Sequence, residues 1–74
     1  MNVLDIPVNE SAKIVKVGVT GAAAERLRAL GFVCGRAVTV LGYSIFKSSV
    51  LLSCGAVRLA VRKTIASRIE VQPL

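Results

Sequence analysis

Residues 26–62 read RLRALGFVCGRAVTVLGYSIFKSSVLLSCGAVRLAVR, and the order of patterns in them defines the predicted architecture. A short helical pattern comes first, breaks at Gly31 and Gly35, and is followed by three strand-like segments separated by compact turns. The stretch therefore predicts a helix that leads into a small curled sheet. Because the apolar spacing identifies nearly every interior residue and leaves few residue types free for chemistry, we expect the function to reside on the surface.

Length and composition indicate one small domain, residues 1–74, with an apolar and basic character. A chain of this size removes only about 60% of its unfolded surface from water. Hydrophobic residues make up 54% of the sequence and the mean hydropathy is +0.69, so we expect some apolar surface to be left for a partner. The net charge of +6 favours polyanions, although the basic residues are spread singly, as a solvated surface also requires.

The apolar runs are too short to predict a membrane-spanning helix. Such a helix needs about 20 mostly apolar residues, and lysines and arginines interrupt every run. The first seven residues lack a basic start followed by an apolar block, so no signal peptide is predicted. We therefore expect a cytoplasmic protein in which Cys34 and Cys54 are reduced thiols.

The first strand is predicted over residues 12–19. Val15, Val17 and Val19 share one face, which the two-residue period of a half-buried strand assigns to the core. The same alternation leaves Ile14 on the face of the lysines, where its apolar side chain is not explained.

A helix is predicted over residues 22–30. Thr20 precedes it as the expected N-cap, and Gly31 follows it as the left-handed residue that ends it. Three residues at four- and three-residue spacing form the expected inner face: Ala23, Leu27 and Leu30.

The remaining elements are short. Strands are predicted over residues 36–43, 50–54, 57–62 and 69–71, with a loop over 44–49, a bend at Gly42 and a helical turn over 64–68. Strand 57–62 has the cleanest alternation, with valine and leucine inward and Arg58 and Arg62 outward, so its register is strongly specified. Five short strands predict a small closed β-barrel, because closure removes exposed sheet edges.

Several of these residues together resemble the bacterial ferrous iron transport protein A family (FeoA). The resemblance covers almost the whole chain and rests on the joint spacing of Leu30-Gly31-Phe32, Gly35, Val38, Val40, Leu59-Ala60-Val61-Arg62, Ala66, Ile69 and Val71. It implies an SH3-like β-barrel with an inserted helix, which is cytoplasmic and regulates the membrane-embedded ferrous iron transporter FeoB. Contact with the membrane would come only through that partner. The chain departs from many family members at Cys34, where they have proline, and in the loop 44–49, where they often have an acidic loop containing proline and glycine.

The residue types needed for catalysis or metal binding are scarce. The sequence has no histidine, and its four carboxylates, Asp5, Glu10, Glu25 and Glu70, lie far apart in sequence, so we expect no enzyme activity. No glycine-rich phosphate loop opens a helix. Two cysteines are too few for a structural metal site, so we expect no metal and no cofactor, with a metal bridging two copies through Cys34 as an open alternative.

The expected partner-binding surface combines one helix face with the loop tip. It consists of Arg26, Leu27, Leu30, Tyr43, Ile45, Phe46 and Lys47. The two leucines are equally suited to the core. An exposed tip with isoleucine and phenylalanine lowers solubility unless something covers it, and self-association could cover it as well as a partner could.

The sequence thus predicts an accessory or regulatory protein-interaction module for the FeoB transporter. The competing class is a basic barrel that binds nucleic acid. That class commonly uses aromatic stacking platforms, and this chain offers only Phe32, Tyr43 and Phe46. A module for proline-rich peptides is a third alternative, which the absence of tryptophan disfavours.

Overall fold

A five-stranded antiparallel sheet forms the body of the protein in its computed structural model, which describes residues 1–46 and 48–74. The elements in chain order are a 3-10 turn (Val3–Asp5), β1 (Ser11–Val17), α1 (Gly21–Ala29), β2 (Ala37–Tyr43), β3 (Ser49–Cys54), β4 (Val57–Arg62), α2 (Lys63–Ala66) and β5 (Ile69–Pro73). All predicted strands and both predicted helical segments are present, and no end differs from its prediction by more than two residues.

The sheet is open, so the prediction of a closed barrel is wrong. Its strand order is β4-β3-β2-β1-β5, and within the described residues the two outer strands do not pair with each other. The connection between them is the helical turn α2, and the outer side of β5 is taken by the first residues of the chain. Asn2 forms a bridge with Glu70, and the Val71 N–H donates to the Met1 carbonyl at 2.9 Å. The edge of β5 is therefore covered without β4.

A β-bulge in β1 reverses the predicted faces in the part of the strand that precedes Lys16. The register of β1 against β5 shifts between Ile14 and Lys16. The extra residue places Ile14 in the core and leaves Val15 38% exposed, whereas the alternation assigned Val15 to the core. Val17 and Val19 are half-buried. The bulge explains why an apolar residue occupies the lysine side of the sequence pattern.

A second register shift lies in β2, between Val40 and Gly42. It confirms the bend predicted at Gly42. Val38 and Val40 before the bend are fully buried, so their face of the strand lies in the core.

Helix α1 is closed at its C-terminus by glycine and begins without a side-chain cap. Gly31 has φ +94°, in the left-handed region that favours glycine. Thr20 occupies the N-cap with extended backbone, but its hydroxyl makes no capping hydrogen bond to the first turn, so that part of the prediction is wrong. The helix packs on the sheet mainly through Leu27.

The core is purely aliphatic and aromatic apart from one thiol. Within the part of the chain that the structure describes, no polar or charged residue is buried. The buried residues are Val3, Ile6, Ala12, Ile14, Leu27, Phe32, Val38, Val40, Val50, Leu52, Cys54, Val61, Ala66, Ile69 and Val71. Apart from the Cys54 thiol, the described interior holds no titratable side chain, so we look for candidate sites on the surface.

Candidate functional site

A groove runs between α1 and the edge strand β4, and we call it the α1–β4 groove. Its volume is about 340 Å³. Its lining residues are Ala22, Ala23, Arg26, Leu27, Leu59, Ala60, Val61, Arg62 and Ile65. Residues 59–62 are consecutive, and successive side chains of a strand point to opposite faces. Their joint presence in the lining shows that the groove follows the edge of the strand.

Most of the α1–β4 groove is apolar, and its charges are positive. On the helix side the groove is lined by the small side chains of two alanines, and Leu27, which is 3% exposed, forms part of its floor. Two exposed arginines, Arg26 and Arg62, also line the groove. The outward backbone groups of β4 make no hydrogen bond to other described residues, because this strand pairs only with β3. An open strand edge beside an apolar groove suits an extended peptide that adds as a further strand.

The second candidate surface is the loop between β2 and β3, and residues 43–46 are here called the β2–β3 tip. Ile45 is 93% exposed and Phe46 is 90% exposed. Ser44 fastens the loop: its N–H donates to the Ser49 carbonyl at 3.0 Å. Its hydroxyl oxygen accepts from the N–H groups of Ser48 at 3.1 Å and Ser49 at 3.2 Å. The two apolar side chains therefore project from a hydrogen-bonded loop.

Lys63 lies at the base of this tip. Its ammonium nitrogen is 5.2 Å from the centroid of the Tyr43 ring, which is within cation-π range. The backbone N–H of Lys63 donates to the Ser48 carbonyl at 3.1 Å. The preceding residue, Arg62, pairs with Ser49 in the sheet and also lines the α1–β4 groove. The groove and the tip are therefore neighbours along one side of the molecule.

The structure divides the predicted partner-binding residues between these two places. Arg26 and Leu27 lie in the α1–β4 groove, while Leu30 is half-buried, packs against the core and is not part of the groove lining. Three others, Tyr43, Ile45 and Phe46, form the tip together with Ser44. The seventh, Lys47, lies outside the described residues.

The sequence reasoning missed the β4 side of the groove. The predicted alternation places Leu59 inside and Ala60 and Arg62 outside, and it gives Ile65 no role. The predicted partner-binding surface includes the helix but not β4, because in a closed barrel the edge of β4 would be paired. The signal that could have revealed it is the helical turn directly after β4, which leaves few residues to lead into a paired β5.

The charge of the chain is distributed unevenly along the sequence. Residues 26–69 contain no aspartate or glutamate. They hold eight of the ten basic residues, namely Arg26, Arg28, Arg36, Lys47, Arg58, Arg62, Lys63 and Arg68. Two of the four carboxylates, Asp5 and Glu70, line a separate polar cleft with Lys16 and Arg68. The β2–β3 tip therefore lies in a segment without negative side chains, as do all residues that line the groove except Ala22 and Ala23.

The two thiols are both free, and each donates to a different backbone carbonyl. The exposed Cys34 donates from its sulfur to the Val15 carbonyl at 3.3 Å, and the buried Cys54 donates to the Gly31 carbonyl at 3.3 Å. Over residues 1–46 and 48–74, no group of three or more histidine, cysteine, aspartate or glutamate side chains is arranged to hold a metal ion. Among the helices in those same ranges, none has the length and apolarity that crossing a bilayer requires.

Several FeoA proteins of known structure are similar to this chain over all or nearly all of its length. The FeoA protein from Chlorobium tepidum is 26% identical, with a TM-score of 0.93, and the match covers 100% of this chain and 70% of that one. The iron(II) transport protein A from Clostridium thermocellum is 24% identical, with a TM-score of 0.89. The present chain is covered completely but spans only 46% of the length of the Clostridium protein.

A third relative is the FeoA from Stenotrophomonas maltophilia. It is 32% identical over 97% of this chain and 89% of that one, with a TM-score of 0.84. It was solved as a zinc complex and is described as a prokaryotic SH3 domain protein and a candidate activating factor for bacterial ferrous iron transport. The SH3-like part of the fold prediction is thereby supported. A search of curated proteins gives no match.

The sequence profile of the FeoA domain matches residues 1–73, which is nearly the entire chain. This match confirms the resemblance found in the sequence, and it agrees with the order of elements and with the structural relatives. The chain belongs to the FeoA family, whose members are associated with ferrous iron transport.

Proposed function

We propose that this chain is a cytoplasmic accessory protein of ferrous iron uptake that binds the cytosolic part of a FeoB-type transporter. The observation that carries the proposal is the α1–β4 groove, an apolar channel beside an open strand edge with an arginine from each side. Family membership supplies the association with iron transport. The relative from Stenotrophomonas supports a role as an activating factor.

The groove suggests how the partner binds. An extended segment of the transporter adds to the edge of β4, and its apolar side chains lie over Leu27 and the alanines of α1. Carboxylates on that segment pair with Arg26 and Arg62. A ligand shifts a conformational equilibrium only by its difference in affinity for the two states, so regulation requires that one state of the transporter presents this segment better than the other.

Reversing the charge of the two groove arginines tests this proposal. We expect Arg26→Glu with Arg62→Glu to weaken binding of the purified cytosolic domain by about tenfold or more, because two charge pairs at the interface become repulsive. Isothermal titration calorimetry measures the affinity directly. The matched control is Lys13→Glu with Arg28→Glu, which changes the net charge equally at two exposed cations outside the groove lining and outside β4.

The control should stay within about threefold of the unmodified protein, since distant surface charges affect encounter rate more than affinity. An equal loss for both double variants would show that only net charge matters. Binding that neither variant weakens would remove the groove from the interface. Either result contradicts the proposed docking mode.

Nucleic acid binding is the second candidate function, and the absence of carboxylates between residues 26 and 69 favours it. If phosphates bind this segment, the affinity for a labelled oligonucleotide should fall steeply with salt, with a slope close to the number of phosphates contacted. Fluorescence anisotropy at several salt concentrations measures that slope. A shallow slope, or no binding at low salt, removes this candidate.

A further inference from the structure

We infer that the β2–β3 tip is a membrane-docking element, which places Ile45 and Phe46 in the interface of a bilayer that contains anionic lipids. This contact is with lipid directly, in addition to any contact through a transporter, and it does not depend on the proposed function. The resemblance to the FeoA family implies membrane contact only through a partner. Three observations of the structure indicate direct contact with lipid.

The first observation is the degree to which two adjacent apolar side chains are exposed. Ile45 and Phe46 are the most exposed large hydrophobic residues of the described chain, above both terminal residues. The Ser44 hydrogen bonds hold the loop that carries them. Because the loop is fastened, the two side chains are presented together to whatever lies beyond the tip.

The second observation is the order of chemistry along the tip. The outermost side chains are apolar, Tyr43 follows at the end of β2, and the cations Lys63 and Arg62 lie at the base. A bilayer has the same order from inside to outside: acyl chains, an interfacial zone in which tyrosine is enriched, and anionic head groups. The tip therefore matches the polarity profile of a lipid interface.

The third observation is the charge around the tip. No aspartate or glutamate occurs between residues 26 and 69, so β2, β3, β4 and α2 carry no carboxylate that would repel acidic head groups. Weak apolar insertion becomes stable binding only when a second signal, such as basic residues, accompanies it. Here the apolar and basic signals occur on one hairpin and the turn packed beside it.

The same observations disfavour a second copy of the chain as the occupant. The projecting tip would need a cavity to enter, and the apolar candidates are the α1–β4 groove and a smaller pocket beside Phe32, which is also lined by an arginine, Arg28. That groove is lined by Arg26 and Arg62, while the tip brings Lys63, so the contact would join like charges. A fluid lipid interface accepts a projecting apolar tip without a preformed cavity.

A tryptophan placed at the tip tests the inference. The chain has no tryptophan, so Phe46→Trp provides the only indole fluorophore. We expect its emission to shift to shorter wavelength with vesicles of phosphatidylcholine and phosphatidylserine, and to be quenched when the lipids carry bromine in their acyl chains. Val8→Trp, at an exposed apolar site outside the tip, is the control and should show neither effect.

Co-sedimentation with the same vesicles measures the affinity. We expect Ile45→Ser with Phe46→Ser to weaken binding by about tenfold or more, because the two apolar side chains that enter the bilayer are lost. Val8→Ser with Leu74→Ser removes two other exposed apolar side chains and should leave the binding within about twofold. Vesicles of phosphatidylcholine alone should bind the unmodified protein less well.

Three outcomes would overturn the inference. The unmodified protein does not sediment with vesicles that contain phosphatidylserine, or the tip variant binds them as well as the unmodified protein does. Alternatively, the emission of Phe46→Trp shifts with protein concentration or with added RNA and not with vesicles, which would assign the tip to a second copy or to nucleic acid. Since the vesicles contain no protein, none of these results depends on the transporter.

Discussion

Replacing Phe32 by alanine should lower the free energy of unfolding by about 3 to 5 kcal/mol. Phe32 is 1% exposed and follows α1 after Leu30 and Gly31. Its N–H donates to the Leu27 carbonyl in the helix at 2.9 Å. Its ring fills space in the core that no neighbouring side chain can fill without moving. Domains have about 0.05 to 0.15 kcal/mol of stability per residue. The change therefore removes a large share of the total, and urea denaturation followed by circular dichroism measures it.

Phe46→Ala is the matched control, because it makes the same chemical change at a residue that is 90% exposed. We expect a change within about 0.5 kcal/mol, as is usual for surface substitutions away from special features. Comparing Phe32→Ala with Phe46→Ala separates the effect of burial on the free energy of unfolding from the effect of losing an aromatic ring. Equal losses at the two positions would contradict the packing described for Phe32.

Replacing Ile14 by alanine should cost about 2 to 5 kcal/mol, although the simple alternation of β1 places this residue on the solvent side. Ile14 is fully buried, and its N–H and carbonyl make hydrogen bonds of 2.8 Å to the Arg36 carbonyl and the Gly35 N–H. The substitution removes the side chain and leaves these backbone bonds in place. The expected loss is therefore that of the apolar contacts alone, and chemical denaturation measures it.

Val15→Ala is the control for Ile14→Ala, since it removes a β-branched side chain at the next position of the same strand. Val15 is exposed, so its loss should cost at most about 1 kcal/mol, chiefly through strand propensity. The β-bulge between Ile14 and Lys16 is the reason for this order of effects. A larger loss at Val15 than at Ile14 would show that the strand follows the uninterrupted alternation.

The regular elements could be predicted because their signals are local. Val38 and Val40 alternate with polar or small residues in β2, and the inner valines of β4 alternate with arginines, so register and buried face follow from the sequence. Gly31 marks the helix end because few other residues adopt its backbone conformation. The bulge in β1 depends instead on pairing with β5, more than fifty residues away, and no local pattern specifies it.

Whether the sheet closes, and which residues form the β4 side of the α1–β4 groove, also depends on contacts between distant parts of the chain. Local patterns could therefore not predict either. Five strands are compatible with a barrel or with an open sheet, and the choice depends on what covers each edge. Here Met1 and Asn2 cover β5, which a sequence pattern does not reveal. Arg26 and the apolar tip were found because they depend on local exposure. Arg62 and Ile65 were missed as groove residues because their role depends on the open edge of β4.

The pairing of Met1 and Asn2 with Glu70 and Val71 has a consequence for the folding kinetics. These contacts join residues separated by almost the full described sequence, so forming them closes the largest loop in the fold and carries the greatest chain-entropy cost. The hairpins from β2 to β4 need far shorter loops. The nucleus is therefore expected among the central hairpins, with the terminal ladder forming late and opening first in partial unfolding.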